Sequence, residues 1–430
     1  MGTTKKSEEG VTRRKFLKTS LLSVAACGVG SSFGIVKARG EQPVTFGLLG
    51  NASGAGGMTG ESALFGVKLW AEALNKKGGL LGREVQVIQR DTFGKPEEAA
   101  RYTREFASSG NIDFIFAHGS SAESFAVAAI SKDLKRLITS QSEATDFTAD
   151  PKVRSPYCFR FSTNSLLTAI AFGQYGGKIS KEQGFTRWFT VGPDYSFGRD
   201  LANLFTQYLK KSNPAADVRG QAWPKLFESD YTPQINAIMA ANPQAVMTCL
   251  FGADLIAFIK QGAMYGLFDK VKLFATHLGD EETIQSITKA IGKFPAGLHA
   301  RVRYLRGVPD TAPTHAFYDE YVKRFNTPPL YWAWMNYLGA ISVEAAVKKV
   351  KSVDNAKVIK ALEDMSVKGP GGVGVGDTIM MRGRDHQLIN YVEASGVTIS
   401  QPPYLNKVVY TSWKDLVAEE TAWLKNKGWL

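Results

Sequence analysis

Cysteine is scarce: three in 430 residues, Cys27, Cys158 and Cys249. No Cys/His group has metal-ligand spacing, so the sequence predicts no metal. Histidine is scarce too, and the five (His118, His277, His299, His315 and His386) are scattered without an HExxH pair. The one GxSxG match, at residues 30–34, falls in the first forty residues, where a nucleophile elbow has no place. The one GxGxxG match, Gly369 to Gly374, contains Pro370 and follows no predicted strand. No Gly-Lys-Ser/Thr follows the glycine-rich stretch at residues 50–60, which excludes a P-loop. His118 beside Ser120 offers a base and a hydroxyl, but close neighbours at a strand end usually point in different directions. The expectation is a protein without catalysis and without a cofactor. Long apolar runs are also lacking: Leu21 to Val29 is too short to cross a bilayer as a helix, so no integral membrane span is expected.

The formal net charge of +12 overstates the basic character. Residues 1–40 carry eight basic and two acidic side chains, and without them 44 basic and 38 acidic residues leave +6. These are mixed along the chain with no basic run, which argues against nucleic acid as a partner.

Those first forty residues read as an export leader. Thr12 to Lys18, TRRKFLK, resembles a twin-arginine signal, and the modest apolar segment after it sits where a signal peptide's h-region belongs. Cleavage after Ala38-Arg39-Gly40 leaves a periplasmic chain from Glu41. Val24 to Gly28, VAACG, also resembles a lipobox, in which Cys27 is acylated; both endings stay open. Cys158 and Cys249 either pair in an oxidising compartment or remain as thiols, and Cys249, inside an apolar run, reads as an inert buried thiol.

What is present is a repeating rhythm of strand and helix. Val44 to Leu49 is a predicted strand running into the glycine-rich loop, followed by a helix over 62–75 and a strand at 85–88 with Asp91 just beyond it. After a helix over 96–108 comes the apolar run Phe114 to Ala117, as expected of a strand buried on both faces. It ends in His118-Gly119-Ser120-Ser121, and Ser120 with Glu123 three residues later is a capping-box signature. A second short strand, 137–139, empties into Ser140-Gln141-Ser142-Glu143. A right-handed crossover puts both polar loops at one sheet edge, beyond the strands' carboxyl ends, where open α/β sheets bind ligands. Ser120 and Ser121 either simply cap a helix or present hydroxyls and N–H groups to an anion. The rhythm restarts at Arg187 to Val191 and runs to about residue 291, predicting two similar α/β lobes with parallel sheets. After residue 295 it breaks into a strand-like 300–304, helices at about 314–325, 331–349 and 355–364, a glycine-rich passage, hairpin-like strands at 388–393 and 408–410, and an amphipathic tail helix.

With these pieces placed, the chain resembles the periplasmic leucine/isoleucine/valine-type substrate-binding proteins of ABC transporters, the type I periplasmic binding proteins. The residues that carry this are FGLLGNASGAGGMTGESALFGVKLWAEALNKKGGLLGREVQV, FAHGSSAES, ITSQSEATDFT, Tyr157 to Phe161 and Asp194 to Asp200. The resemblance implies two doubly wound lobes joined by a three-strand hinge, with crossovers near 161, 298 and 370. It places 43–161 with 299–370 in one lobe, 162–298 with 371–411 in the other, and 412–430 as a tail. It further implies a ligand trapped between the lobes for an ABC permease, with hinge closure. Carried over residue by residue, Ser120 and Ser121 hold the ligand's carboxylate, joined by the loop Ser140 to Glu143 with Ser142 and Glu143; Thr59 is a further ligand-binding position, and Tyr195 or Phe197, and Phe251, come from the second lobe. The family's acid for the ligand's amino group is missing: Thr276 or His277 stands there. Either Glu143 or Asp280 takes over the ammonium, or the ligand is not an α-amino acid. Aliphatic amino acids are the family default, while the aromatic set Tyr195, Phe197, Phe251, Tyr304 and Trp332 leaves amides and aromatic acids open. A sensory module without a permease is a further reading.

Overall fold

A computed structural model describes residues 42–294 and 296–430. The predicted leader and Cys27 lie outside the described residues. The described residues build two sheets. The first runs, in spatial order, Ser366–Lys368, Thr378–Arg382, Gln387–Ile389, Cys158–Arg160, Ile138–Ser140, Phe114–Ala117, Val44–Gly50 and Val85–Asp91. The second runs Leu405–Tyr410, Ala394–Thr398, His299–Val302, Lys272–Ala275, Ala245–Thr248, Arg187–Val191 and Asp217–Ala222. Among the described residues, the pairings of strands before residue 303 with one another are parallel, and antiparallel partners come from the later strands at one edge of each sheet. This is the expected type I architecture.

The continuous apolar runs follow from burial on both faces. In Phe114–Ala117, Phe114 and Phe116 enter a core with Trp70 and Trp334, from the helices Gly57–Asn75 and Tyr331–Val350. Ile115 and Ala117 enter the opposite core with Phe106 and Val127, from the helices Pro96–Ser108 and Ser121–Leu134. Successive strand side chains point to opposite faces, so helices on both sides require every position to be apolar. The second sheet repeats the device: Trp188 and Met247 face the helices Ser165–Glu182 and Ser196–Ser212, while Phe189 and Val246 face Thr232–Ala241 and Gly252–Met264.

The hinge lies elsewhere than expected in two of three places. The chain first passes between sheets after Cys158–Arg160. Its second passage follows His299–Val302, a strand of the second sheet, so residues 299–302 do not belong with the first lobe. The third comes between Gln387–Ile389 and Ala394–Thr398, about twenty residues beyond 370. The glycine-rich passage that suggested a break is the turn of a hairpin instead. Gly371 and Gly376 adopt positive φ there, and the flanking Ser366–Lys368 and Thr378–Arg382 pair antiparallel at the edge of the first sheet. Strands of three to five residues, half exposed, leave too weak an alternation to be read. Nor do 388–393 and 408–410 form a hairpin together, since Leu405–Tyr410 pairs with Ala394–Thr398.

Buried charges tie the crossovers together. Arg301 Nε donates to Glu393 Oε2 at 2.8 Å, joining the second to the third. The tail forms the helix Trp413–Asn426, whose Leu416 lies in the second lobe's core and whose Glu420 accepts from Arg382 of the first sheet at 2.6 Å. Among the described residues no helix is long and apolar enough to cross a membrane. Cys158 and Cys249 are both buried free thiols, in the cores of different lobes, so they do not pair.

Candidate ligand-binding cleft

The strand ends of the two sheets face one another across a cavity with about 480 Å³ of unfilled space, its open mouth included. Its first-lobe wall starts at the helix Ser121–Leu134. The capping box is formed: Ser120 Oγ accepts from Glu123 N at 3.3 Å and Glu123 Oε2 accepts from Ser120 N at 2.7 Å. Gly119 is required here, because a Cβ would sit 2.7 Å from the Glu123 carboxyl carbon and expel the cap. Capping does not remove Ser120 from the cavity, since Ser120 and Ser121 both line it and the first helical N–H groups have no partners within the helix. Ser121 Oγ also accepts from Ala144 N at 3.3 Å, linking this loop to the one after Ile138–Ser140.

That second loop contributes Gln141 and Glu143 to the cavity, but not Ser142, which is fully buried. Alternation along an extended segment turns Ser142 away when its two neighbours face the cleft. Gln141 is 5% exposed, and neither its amide nitrogen nor its oxygen has a hydrogen-bond partner among the described residues. Buried polar groups are nearly always paired, so this carboxamide marks a place for a ligand's polar group.

Glu143 is occupied already. Both its oxygens accept from Arg303, the terminal nitrogens of which reach it from the second crossover, Nη2 to Oε2 at 2.8 Å. Arg303 Nη2 also lies 2.8 Å from His277 Nε2, and its guanidinium stacks over Tyr331 at 4.4 Å. Burial raises the Glu143 pKa, but the charge of the bound Arg303 guanidinium outweighs it and holds the carboxyl at about 2. Burial, then the Arg303 charge, push His277 down to about 3; burial alone takes His118 to about 4. Both histidines are therefore neutral at physiological pH. Because Nε2 of His277 faces the Arg303 donor, its proton is assigned to Nδ1, 2.8 Å from Thr276 Oγ1.

Asp280 does not reach the cavity. It is 2% exposed and caps the helix Glu281–Ile291, accepting from Thr283 N at 2.8 Å, so it cannot serve a ligand's ammonium. Burial pushes its pKa up to about 7. Thr59 lines the first-lobe side, and Tyr195, Phe197, Phe251 and His277 line the second. At the junction Phe251 meets Trp332 across the lobes at 5.8 Å, and Gly252, with φ of 54°, brings its backbone against Thr59 and Trp332. Tyr304 is not part of the cavity; it is buried beside Trp334 and donates to Thr314 O.

Sequence reasoning passed over Phe227, Tyr331 and Arg303, weighed His118 only as a base, and placed Asn51 and Gln141 only within their loops. For Arg303 a signal existed: arginines at 301 and 303 inside an apolar strand-like segment need acids to meet them. For Phe227 there was none, since the loop carrying it is fixed by Asp254, which accepts from Phe227 N at 3.0 Å.

The family model described as periplasmic binding protein matches residues 43–398. Among similar curated proteins, Leu/Ile/Val-binding protein homolog 4 of Brucella abortus is 26% identical over 390 residues, covering 86% of this chain and 88% of the relative. Homolog 7 of the same organism is 23% identical over 365 residues, covering 83% and 88%. Among solved structures, an amino acid ABC transporter substrate-binding protein from Pseudomonas fluorescens superposes with a TM-score of 0.74 at 22% identity, covering 88% of this chain and 98% of that one. A solute-binding protein of an ABC transporter from Rhodopseudomonas palustris, in complex with 3,4-dihydroxybenzoic acid, gives 0.75 at 20%, covering 86% and 97%. With the match running from residue 43 to 398, this chain belongs to the periplasmic binding protein family.

Proposed function

We propose that this chain is exported to the periplasm, there captures a small carboxylate between its lobes, and hands it unchanged to an ABC permease. One observation carries the reading: hydroxyls, helix N–H groups and an unpartnered carboxamide of the first lobe face aromatic side chains of the second across a single cavity. Such a cleft closes around its ligand by bending at the crossovers. Ser120 and Ser121 hold the carboxylate, Thr59 borders it, and Tyr195, Phe197, Phe251 and His277 form the facing wall. Glu143 acts as a neutralised part of the floor rather than as a charge for the ligand. The names of the relatives offer two ligand classes, Leu/Ile/Val-type amino acids and hydroxylated benzoic acids. Export by the twin-arginine route, with either cleavage near Gly40 or acylation of Cys27, completes the proposal; mass spectrometry of the mature N-terminus distinguishes the two endings.

No catalysis is proposed. His118, the base the sequence offered, is a poor one, because burial lowers its pKa to about 4, and its Nδ1 lies 3.2 Å from Asn336 Nδ2. The test is a thermal-shift screen against amino acids, amides and aromatic carboxylates. A ligand that binds only the folded chain adds about 2.7 kcal/mol of stability at a hundredfold excess over Kd. Disappearance of the ligand on incubation would overturn the receptor reading in favour of an enzyme.

A further inference from the structure

Among the residues lining the cavity there is one acid, Glu143, and no lysine or arginine. That acid is not available to a cationic group: the Arg303 guanidinium occupies both carboxylate oxygens, so the pair carries no net charge towards the cleft. An ammonium placed against it would lose its water and meet a guanidinium just behind the carboxylate. Asp280 and Glu123, the other acids nearby, are each committed to a helix cap. The carboxylate end of the cavity is better provided. The strands Phe114–Ala117 and Ile138–Ser140 are direct neighbours, so Ser120, Ser121 and Gln141, just beyond their ends, share one wall. There the Gln141 amide is buried and without a partner among the described residues. A carboxylate accepts several hydrogen bonds, and these neutral donors together with the helix N-terminus supply them. The remaining lining is dominated by rings: Tyr195, Phe197, Phe227, Phe251, Tyr331 and Trp332. Aromatic walls favour a flat ring in tilted or edge-on contact.

We propose that the ligand is an aromatic carboxylate without an ammonium group, its carboxylate held by Ser120, Ser121 and Gln141 and its ring packed among the aromatics of the cleft. This rests on the solute-receptor reading and narrows its ligand class.

Matched pairs of acids test it by calorimetric titration of the purified chain. 3-Phenylpropionate and L-phenylalanine differ by the ammonium group alone, as do 4-methylpentanoate and L-leucine. In each pair the ammonium-free acid is expected to bind at least about 100-fold more tightly, the consequence of burying an uncompensated charge. Benzoate is expected to bind more tightly than cyclohexanecarboxylate. Q141L is expected to weaken benzoate binding by about tenfold or more, the loss of one charge-assisted hydrogen bond. Equal or tighter binding of L-leucine or L-phenylalanine would overturn the inference and leave the receptor reading intact. Binding of none of the six acids would overturn both. Unchanged benzoate affinity in Q141L would remove Gln141 from the carboxylate site.

Discussion

Arg303 donates both terminal nitrogens to the Glu143 carboxylate, joining the second hinge crossover to a first-lobe loop at the floor of the cleft. The two side chains are 3% and 8% exposed, so neither charge can fall back on water. E143L or R303M alone is expected to cost about 3–5 kcal/mol by stranding one buried charge, whereas the double substitution recovers most of it. Urea unfolding of the four chains in the cycle gives the coupling; additive losses would show that the pair is not a unit.

Asp280 gives a pH dependence of defined sign. Its carboxyl is held at about 7 in the fold against an ordinary 3.8. Its contribution is therefore complete below about pH 4 and is lost as pH rises to about 7, because the unfolded chain ionises first. Asparagine caps a helix as well as aspartate. D280N is accordingly expected to gain about 2–4 kcal/mol relative to the parent between pH 4 and pH 8. A difference that stays flat over that range, in unfolding followed by circular dichroism, would contradict the placement of Asp280 in a buried cap.

The thiols provide a simple check on the two cores. Burial pushes Cys158 up to about 11 and Cys249 higher still, and both lack solvent access. Neither is expected to react with a thiol reagent at pH 8 in the native chain, and both should react in denaturant. Rapid native labelling at either position would contradict the packing described.

Gln141 couples stability to function. An unpaired buried amide costs about 1–3 kcal/mol until a ligand satisfies it. Q141L is thus expected to raise the unfolding free energy of the ligand-free chain by roughly that amount. A lower stability would mean that the carboxamide has a partner within the fold.

How far the sequence reached depended on the kind of signal. Phe114–Ala117 and its capping box were legible because two buried faces and Ser120/Glu123 leave marks at fixed spacing. Loop positions were legible only to the nearest residue: the loop at 140–143 was found, yet alternation put Gln141 rather than Ser142 into the cleft. The third crossover was missed because the strands flanking the glycine-rich passage are short and lie at a sheet edge. Glu143 looked like a free acid in sequence, since its partner Arg303 is 160 residues away and only the hinge brings them together.

The most direct test is a titration of the ligand-free chain with the tightest-binding carboxylate from the screen, followed by recovery and mass analysis of that carboxylate. One-to-one saturation with the compound recovered unchanged, and with binding weakened by substitutions at Ser121 and Phe251, is the expected result. Conversion of the compound, or saturation indifferent to both substitutions, would contradict a receptor that traps its solute between the lobes.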